Sequence, residues 1–229
     1  MTGARAATSQ IDEGLRLYML KVYNYMCIAL GLTGAVAYAA STSQSLMAAI
    51  YGTPLQWVVM LAPLGLVFFL SARINQMKAQ TAQTVFWIYS ALVGLSISYI
   101  FMIYTGASIT RVFFITSAAF AGLSLYGYTT KRDLSGMGSF LVMGLIGIII
   151  ASVVNIFLAS SALMFVISVV GVLVFAGLTA YDTQAIKAIY LESDGSETHE
   201  KKAIMGALRL YLDFLNMFLM LLHLFGNRE

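Results

Sequence analysis

Asp182, in TAYDTQAIKAIY, and Asp213, in RLYLDFLNMF, stand inside the last two long apolar runs of the chain. An ionisable side chain in or beside hydrocarbon costs at least ~2.5 kcal/mol at a helix centre, so it is expected to line a cavity, find a partner and carry function. Two carboxyls that meet cannot both ionise cheaply; a pair sharing one proton, titrating near physiological pH, is the expectation. Hydroxyls and carbonyls near Tyr181, Thr183 and Asn216 add further oxygens to the same two segments. Arg73, in FFLSARINQ, is expected at the same side of the membrane and can compete for Asp182 as an ion pair. A switch between a carboxyl dyad and a carboxylate latched to Arg73 would be a proton-controlled gate. The plainer reading of Arg73 is an interfacial anchor for its helix.

The last apolar run carries more polarity than its neighbours. Arg209, Asp213, Asn216, Met220 and His223 are spaced by four, three, four and three residues, which puts them on one narrow helical stripe. In lipid such a stripe turns into the bundle. For Arg209 and His223 the alternative is that they snorkel to the two interfaces. Asp213, about nine residues past the expected start of this span, would be roughly 13 Å deep.

These residues need a membrane to give them meaning, and the composition supplies one. The chain is 60% hydrophobic and 10% charged over 229 residues, with a mean hydropathy of +0.85, against about 25% charged in an ordinary soluble domain. An all-α membrane protein is indicated. At about 20 apolar residues per crossing, seven spans are predicted, at about 22–40, 55–72, 84–104, 112–128, 138–158, 162–186 and 204–225. They form one transmembrane domain over about 22–225, after a polar segment over 1–21 without a signal-peptide pattern and before a tail over 226–229. With the N-terminus inside, Arg5, Arg16, Lys21, Arg73, Lys78, Lys131, Arg132, Lys187, Lys201 and Lys202 are cytoplasmic, and only Arg111 and Arg228 are opposite. The C-terminus is then expected outside, and both aspartates approach from the cytoplasmic side.

Short links make neighbouring spans antiparallel: three hairpins, with the seventh helix left over and enclosed by the other six. No internal repeat supports a transporter-type inverted architecture. Gly144, Gly147 and Ala151 in span five, and Ala118 and Ala121 in span four, are candidates for close helix contacts. Pro63 is expected to kink span two and Pro54 to start it. Cys27 reads as a small packing residue. The +3 net charge is spread over several loops, which argues against a nucleic-acid partner.

The segments TAYDTQAIKAIY and LYLDFLNMF, the turn GYTTKRDLSGMGSFL, the NIFL after it and the seven-span layout resemble the bacterial branch of the Bax inhibitor-1 family. The resemblance covers nearly the whole chain from span one. It implies a central seventh helix ringed by six others and a pH-sensitive calcium leak across a bacterial inner membrane, with Asp182 and Asp213 as the pH-sensing pair and Arg73 as the latch. It also implies no cofactor beyond calcium as the transported or weakly bound ion. One departure stands out. Arg209 lies one turn before the second aspartate, where a small or neutral residue is expected; its guanidinium would favour ionised Asp213 and repel a divalent cation.

Other classes fit less well. An intramembrane aspartyl protease shares the YD pattern at Asp182, but LYLD213 lacks the glycines of GxGD, and no PAL follows. A retinal protein needs a lysine in the last span, and 204–225 has none. No nucleotide loop, nucleophile elbow or catalytic triad pattern is present, so the chain does not read as an enzyme. The rival that remains is a non-conducting regulator that binds another membrane protein, such as a membrane-bound quality-control protease. The acidic link with Glu192, Asp194, Glu197, His199 and Glu200 matches neither an EF-hand nor a zinc pattern and reads as a solvated loop.

Overall fold

The computed structural model describes residues 2–228, with side chains from Glu13 onward; Met1, Glu229 and the side chains of Arg5 and Asp12 lie outside the described residues. Among those residues the chain is helical, and its one β feature is an isolated antiparallel bridge between Tyr104 and Arg228. The helices are α1 (Thr2–Ser41), α2 (Gln44–Tyr51), α3 (Leu55–Arg73), α4 (Ala79–Ile97), α5 (Ile100–Ile103), α6 (Gly106–Thr129), α7 (Ser135–Leu158), α8 (Ser161–Ala188) and α9 (Ser196–Phe225). Seven stretches are long and apolar enough to cross a membrane: α1 from Glu13, α3, α4 continued through α5, α6, α7, α8 and α9. Helix is the expected answer for each, because a lipid-exposed backbone must satisfy its own N–H and C=O groups.

The predicted seven spans correspond one to one with these helices, and the differences fall at their polar ends. Helix α1 begins 20 residues before the expected start of span one. The head is rich in Ala, Leu and Arg, contains no Pro, and needs no apolarity to stay helical. Likewise α9 begins at Ser196, within what was read as a loop, with Glu197 and Lys201 paired one turn apart at 3.1 Å. Helix α2 has no counterpart in the apolar pattern. Its signal was Ser43, whose Oγ accepts the Leu46 amide as an N-cap. Pro54 does start α3, and Pro63 lies buried inside it.

The chain gathers into two compact units, Met1–Ile103 with Ile189–Tyr211, and Tyr104–Ala188 with Leu212–Glu229. In the first, α1 and α3 both pack on α4, and α2 packs beside α3. In the second, α6 and α7 both pack on α8. Helix α9 gives its first half to one unit and its second half to the other. It is the most enclosed helix: 67% of its most apolar window is buried, against 11 to 39% for the other six spans. That burial agrees with an enclosed seventh helix.

Some small residues do not have the expected role. Ala118 and Ala121 are exposed on α6, and nothing would meet a Cβ at Gly147, so none of them makes a close helix contact. Cys27 is exposed on α1 and is not a packing residue. Gly144 does face a neighbour, with Val174 2.9 Å from where its Cβ would stand.

Candidate functional site

Asp182 owes its position to the α6–α7 turn. On α8, Ala180, Gln184 and Lys187 share one helix face, and each meets that turn. A Cβ at Gly127 would lie 2.9 Å from the Ala180 carbonyl carbon and closer still to its oxygen, so only glycine lets α6 come this near. Gln184 reaches across with both ends of its amide: Oε1 accepts the Leu134 N–H at 2.8 Å, and Nε2 donates to the Arg132 carbonyl at 2.9 Å. Lys187 donates to the Tyr128 carbonyl at 2.9 Å and lies 4.9 Å from the centre of the Tyr128 ring. The two segments that carried the family resemblance, TAYDTQAIKAIY and GYTTKRDLSGMGSFL, are thus one structural piece. Polar groups at the end of one helix are satisfied by the turn that follows another.

Tyr181 and Thr183 belong to the same clamp. The Tyr181 ring sits where a Gly138 side chain would be, 2.6 Å from that missing Cβ. The Thr183 hydroxyl donates to the Thr179 carbonyl at 2.7 Å and lies 3.0 Å from Ser124 Oγ on α6. At 100° per residue, each of these side chains leaves α8 about 100° away from Asp182. Asp182 is half-buried and shares its face with Phe175, Leu178, Thr179 and Ile186, all of them buried. As lining for an ion at Asp182, Tyr181 and Thr183 are poorly directed, because their polar ends serve the α6 and α7 contacts.

Asp213 lies near the middle of α9. Its side chain is buried, with the residue 4% exposed. Counting along α9 at 1.5 Å per residue, it is roughly 26 Å from Ser196 and roughly 18 Å from Phe225, mid-helix by either measure. In its own unit the helix is held by aromatic contacts: Phe214 against Phe113 and Phe120, at centroid distances of 5.5 and 5.6 Å, and Phe218 against Phe113 at 6.2 Å. Gly171 of α8 lets Met220 approach to within 3.1 Å of its absent Cβ. Asp182 and Asp213 belong to the same compact unit.

The polar stripe of α9 is not uniformly inward. Arg209 is exposed, Asp213 is buried, and Asn216, Met220 and His223 are intermediate. Asn216 turns its Nδ2 back to the Leu212 carbonyl at 2.8 Å, which leaves the amide oxygen as its outward group. Arg209 belongs with the first unit and acts electrostatically on buried Tyr18 there. Arg73, also of the first unit, donates to Gln76 Oε1 at 2.8 Å at the exposed end of α3.

The acidic segment read as a solvated loop is largely exposed, but its second half belongs to α9 and several of its charges are paired. Lys202 donates to the Ile189 carbonyl at 2.8 Å and to Asp194 at 2.5 Å, and His199 Nε2 meets the Leu191 carbonyl at 2.7 Å. Glu200 accepts from both Lys21 and Tyr25 of α1. The His199 ring stacks on Tyr190 at 5.2 Å, and Tyr18 packs against both. Asp194, Glu197 and Glu200 are thus paired with lysines and, for Glu200, a tyrosine, while Glu192 is exposed; among the described residues no group of three His, Cys, Asp or Glu is placed to hold a metal.

The seven long apolar helices and the motif segments that meet around α8 match one family. A sequence model described as "Inhibitor of apoptosis-promoting Bax1" matches residues 15–229. A Rickettsia prowazekii protein is 51% identical over 218 residues, covering 95% of this chain and 92% of its own length. The inner membrane protein YbhL of Escherichia coli K12 is 49% identical over 223 residues, covering 96% and 95%, and a Caulobacter vibrioides protein is 46% identical over 237 residues, covering 99% and 95%. The chain belongs to the Bax inhibitor-1 family of membrane proteins.

Proposed function

We propose that the protein is a pH-sensitive passive calcium leak in a bacterial inner membrane, with its N-terminus in the cytoplasm and its C-terminus on the opposite side. The observation that carries this reading is the buried carboxyl of Asp213 at mid-height of the most enclosed helix. A carboxyl there is costly unless function requires it. The reading takes further support from Asp182, which lies half-buried in the same unit. The inner-membrane location rests on the likeness to YbhL, and the orientation on the distribution of Lys and Arg.

In this mechanism the ionised carboxylates of Asp182 and Asp213, with the Asn216 amide oxygen, offer a divalent ion a few hard ligands. The site is weak enough for release. Protonation removes the ligands and changes the contact between the two helices that bear them. Arg209, one turn before Asp213 on α9, tunes the charge near it. Calcium flux through purified protein in proteoliposomes, from mildly acidic to mildly alkaline pH, tests the reading. In Asp182→Asn and Asp213→Asn the pH dependence is expected to disappear. Flux no greater than in empty liposomes at any pH refutes the leak and leaves a non-conducting regulator, to be sought as a complex with a membrane-bound quality-control protease.

A further inference from the structure

The turn that clamps α8 also carries two cations whose charge the fold leaves unanswered. Lys131 and Arg132, side by side between α6 and α7, are both exposed. None of the ion pairs among the described residues includes either of them. Their neighbour Asp133 is exposed too, but its carboxylate turns back to accept the Ser135 amide at 2.9 Å. Lys187, the other cation that meets this turn, is occupied by the Tyr128 carbonyl and ring. By contrast, Lys21, Lys201 and Lys202 of the other unit are paired with Glu200, Glu197 and Asp194.

The backbone under these two charges is fixed on both sides. The Thr130 N–H donates to the Tyr126 carbonyl at 2.8 Å and closes α6, and the Arg132 N–H donates to Thr130 Oγ1 at 3.2 Å. Gln184 holds the Arg132 carbonyl and the Leu134 N–H, and the Leu134 side chain is buried. A ligand that binds here orders two side chains and no loop, so its binding loses little entropy.

Beside the turn lies a bare apolar surface. Helix α7 begins three residues after Arg132; its mean hydropathy of 2.7 is the highest of the seven spans, and only 11% of its most apolar window is buried. Met137, Phe140 and Met143 are exposed along it, as are Leu125 and Tyr126 at the end of α6. Tyr126 stands about 5 Å before the last residue of α6, the place of an interfacial tyrosine at the edge of hydrocarbon. Lys131 and Arg132, beyond the ends of both apolar helices, are then at the level of lipid phosphates. The planar fork of arginine takes two phosphate oxygens, and the lysine ammonium adds a point charge. A zwitterionic headgroup would bring its own cation toward Lys131, so a net negative headgroup is preferred. A soluble anion would answer the two charges and leave the surface of α7 unused.

We infer that Lys131 and Arg132 form a docking site for an anionic phospholipid, with its phosphate held at the α6–α7 turn and its acyl chains along the exposed face of α7. The site takes its leaflet, the cytoplasmic one, from the orientation proposed above, and it does not depend on the leak.

The test is photocrosslinking of the full chain in phosphatidylcholine vesicles that contain a trace of phosphatidylglycerol with a photoreactive group beside its headgroup. Adducts are mapped by peptide mass spectrometry and displaced with unlabelled phosphatidylglycerol. They are expected on the α6–α7 turn and the first turns of α7, where a phosphatidylcholine probe of the same design should label less. Lys131→Gln and Arg132→Gln should each raise the half-displacing concentration about fivefold, and the double variant about 25-fold. Arg16→Gln, which removes an exposed charge from α1, should leave it unchanged. Equal labelling by the two probes, or labelling undisturbed in the double variant, would overturn the inference and leave ordinary boundary lipid. Displacement by soluble glycerol phosphate as effective as by the lipid would overturn it in favour of a free phosphate site. Labelling that appears only after a co-purifying protein has been stripped away would overturn it in favour of an acidic segment of that partner. No flux is read in any of these arms, so the leak stands or falls separately, on Asp182→Asn and Asp213→Asn.

Discussion

Substituting Gly127 by alanine tests the architecture that carries Asp182. The new methyl would lie under 3 Å from the Ala180 carbonyl group, an atom set belonging to the backbone of α8 and unable to swing aside. Restoring ordinary contact requires α6 and α8 to part by roughly 1 Å. The 3.0 Å pair between Ser124 and Thr183, one turn away on the same interface, would then stretch to about 4 Å and cease to be a hydrogen bond. Overpacking of this kind costs about 1–3 kcal/mol and the lost bond about 1 kcal/mol, while alanine returns about 1 kcal/mol in helix propensity. The clash wins by about 2 kcal/mol. At roughly 2–4 °C per kcal/mol for a chain of this size, Gly127→Ala should unfold about 4–8 °C lower than the parent. Gly122→Ala is the control: on the same helix it meets nothing within 4 Å, so only the propensity term acts and stability should hold or rise. Thermal unfolding in one detergent decides the matter. If Gly127→Ala is as stable as Gly122→Ala, the close α6–α8 crossing is refuted, and with it the account of how Asp182 is held.

Two further outcomes follow from single backbone sites. Ala159 ends α7 in the left-handed region, with φ 48° and ψ 33°, and is the one non-glycine residue with positive φ among the described residues; Ala159→Gly should raise stability by about 1 kcal/mol in the same unfolding assay, and a drop would contradict the strain. Asp133 precedes α7, and its carboxyl is held below the usual carboxylate range by the Ser135 hydroxyl and by the Ser135 amide, which donates to it at 2.9 Å. A lowered folded-state value means that the contribution is present above the ordinary value of 3.8 and is lost as pH falls through the lowered one. The stability difference between the parent and Asp133→Asn should therefore be flat at neutral pH and vanish in strong acid. A difference that persists unchanged in acid would rule this out.

Apolar run length made the seven crossings legible, because hydrocarbon imposes a length and a composition on every span. Their polar ends were not legible in that way. Helix continues wherever propensity and i,i+4 pairs allow, so α1 and α9 run well past the apolar boundary, as Glu197 and Lys201 illustrate. The ion pairs of the acidic segment were not legible, because a sequence lists charges without their partners. Only the fold brings Lys21 and Tyr25, some 175 residues away, to Glu200.

The clamp around α8 was half-visible. Its motif segments stood out, but what they do for one another depends on where glycines fall on facing surfaces, and that is a property of two helices at once. Gly127 and Gly138 matter because Ala180 and Tyr181 lie opposite them; Gly147, identical in sequence terms, faces nothing. The same reasoning separates the members of the polar stripe on α9. Spacing aligned Arg209 with Asp213, yet one is exposed and the other buried, because a helix whose two halves pack in different units has no single inward face along its length. Asp213 lies two residues beyond Tyr211, where α9 passes from the packing of α1 and α4 to that of α6 and α8. A buried carboxyl in that second stretch is a product of the packing of α9 within its own unit, which apolar periodicity along a single helix does not reveal.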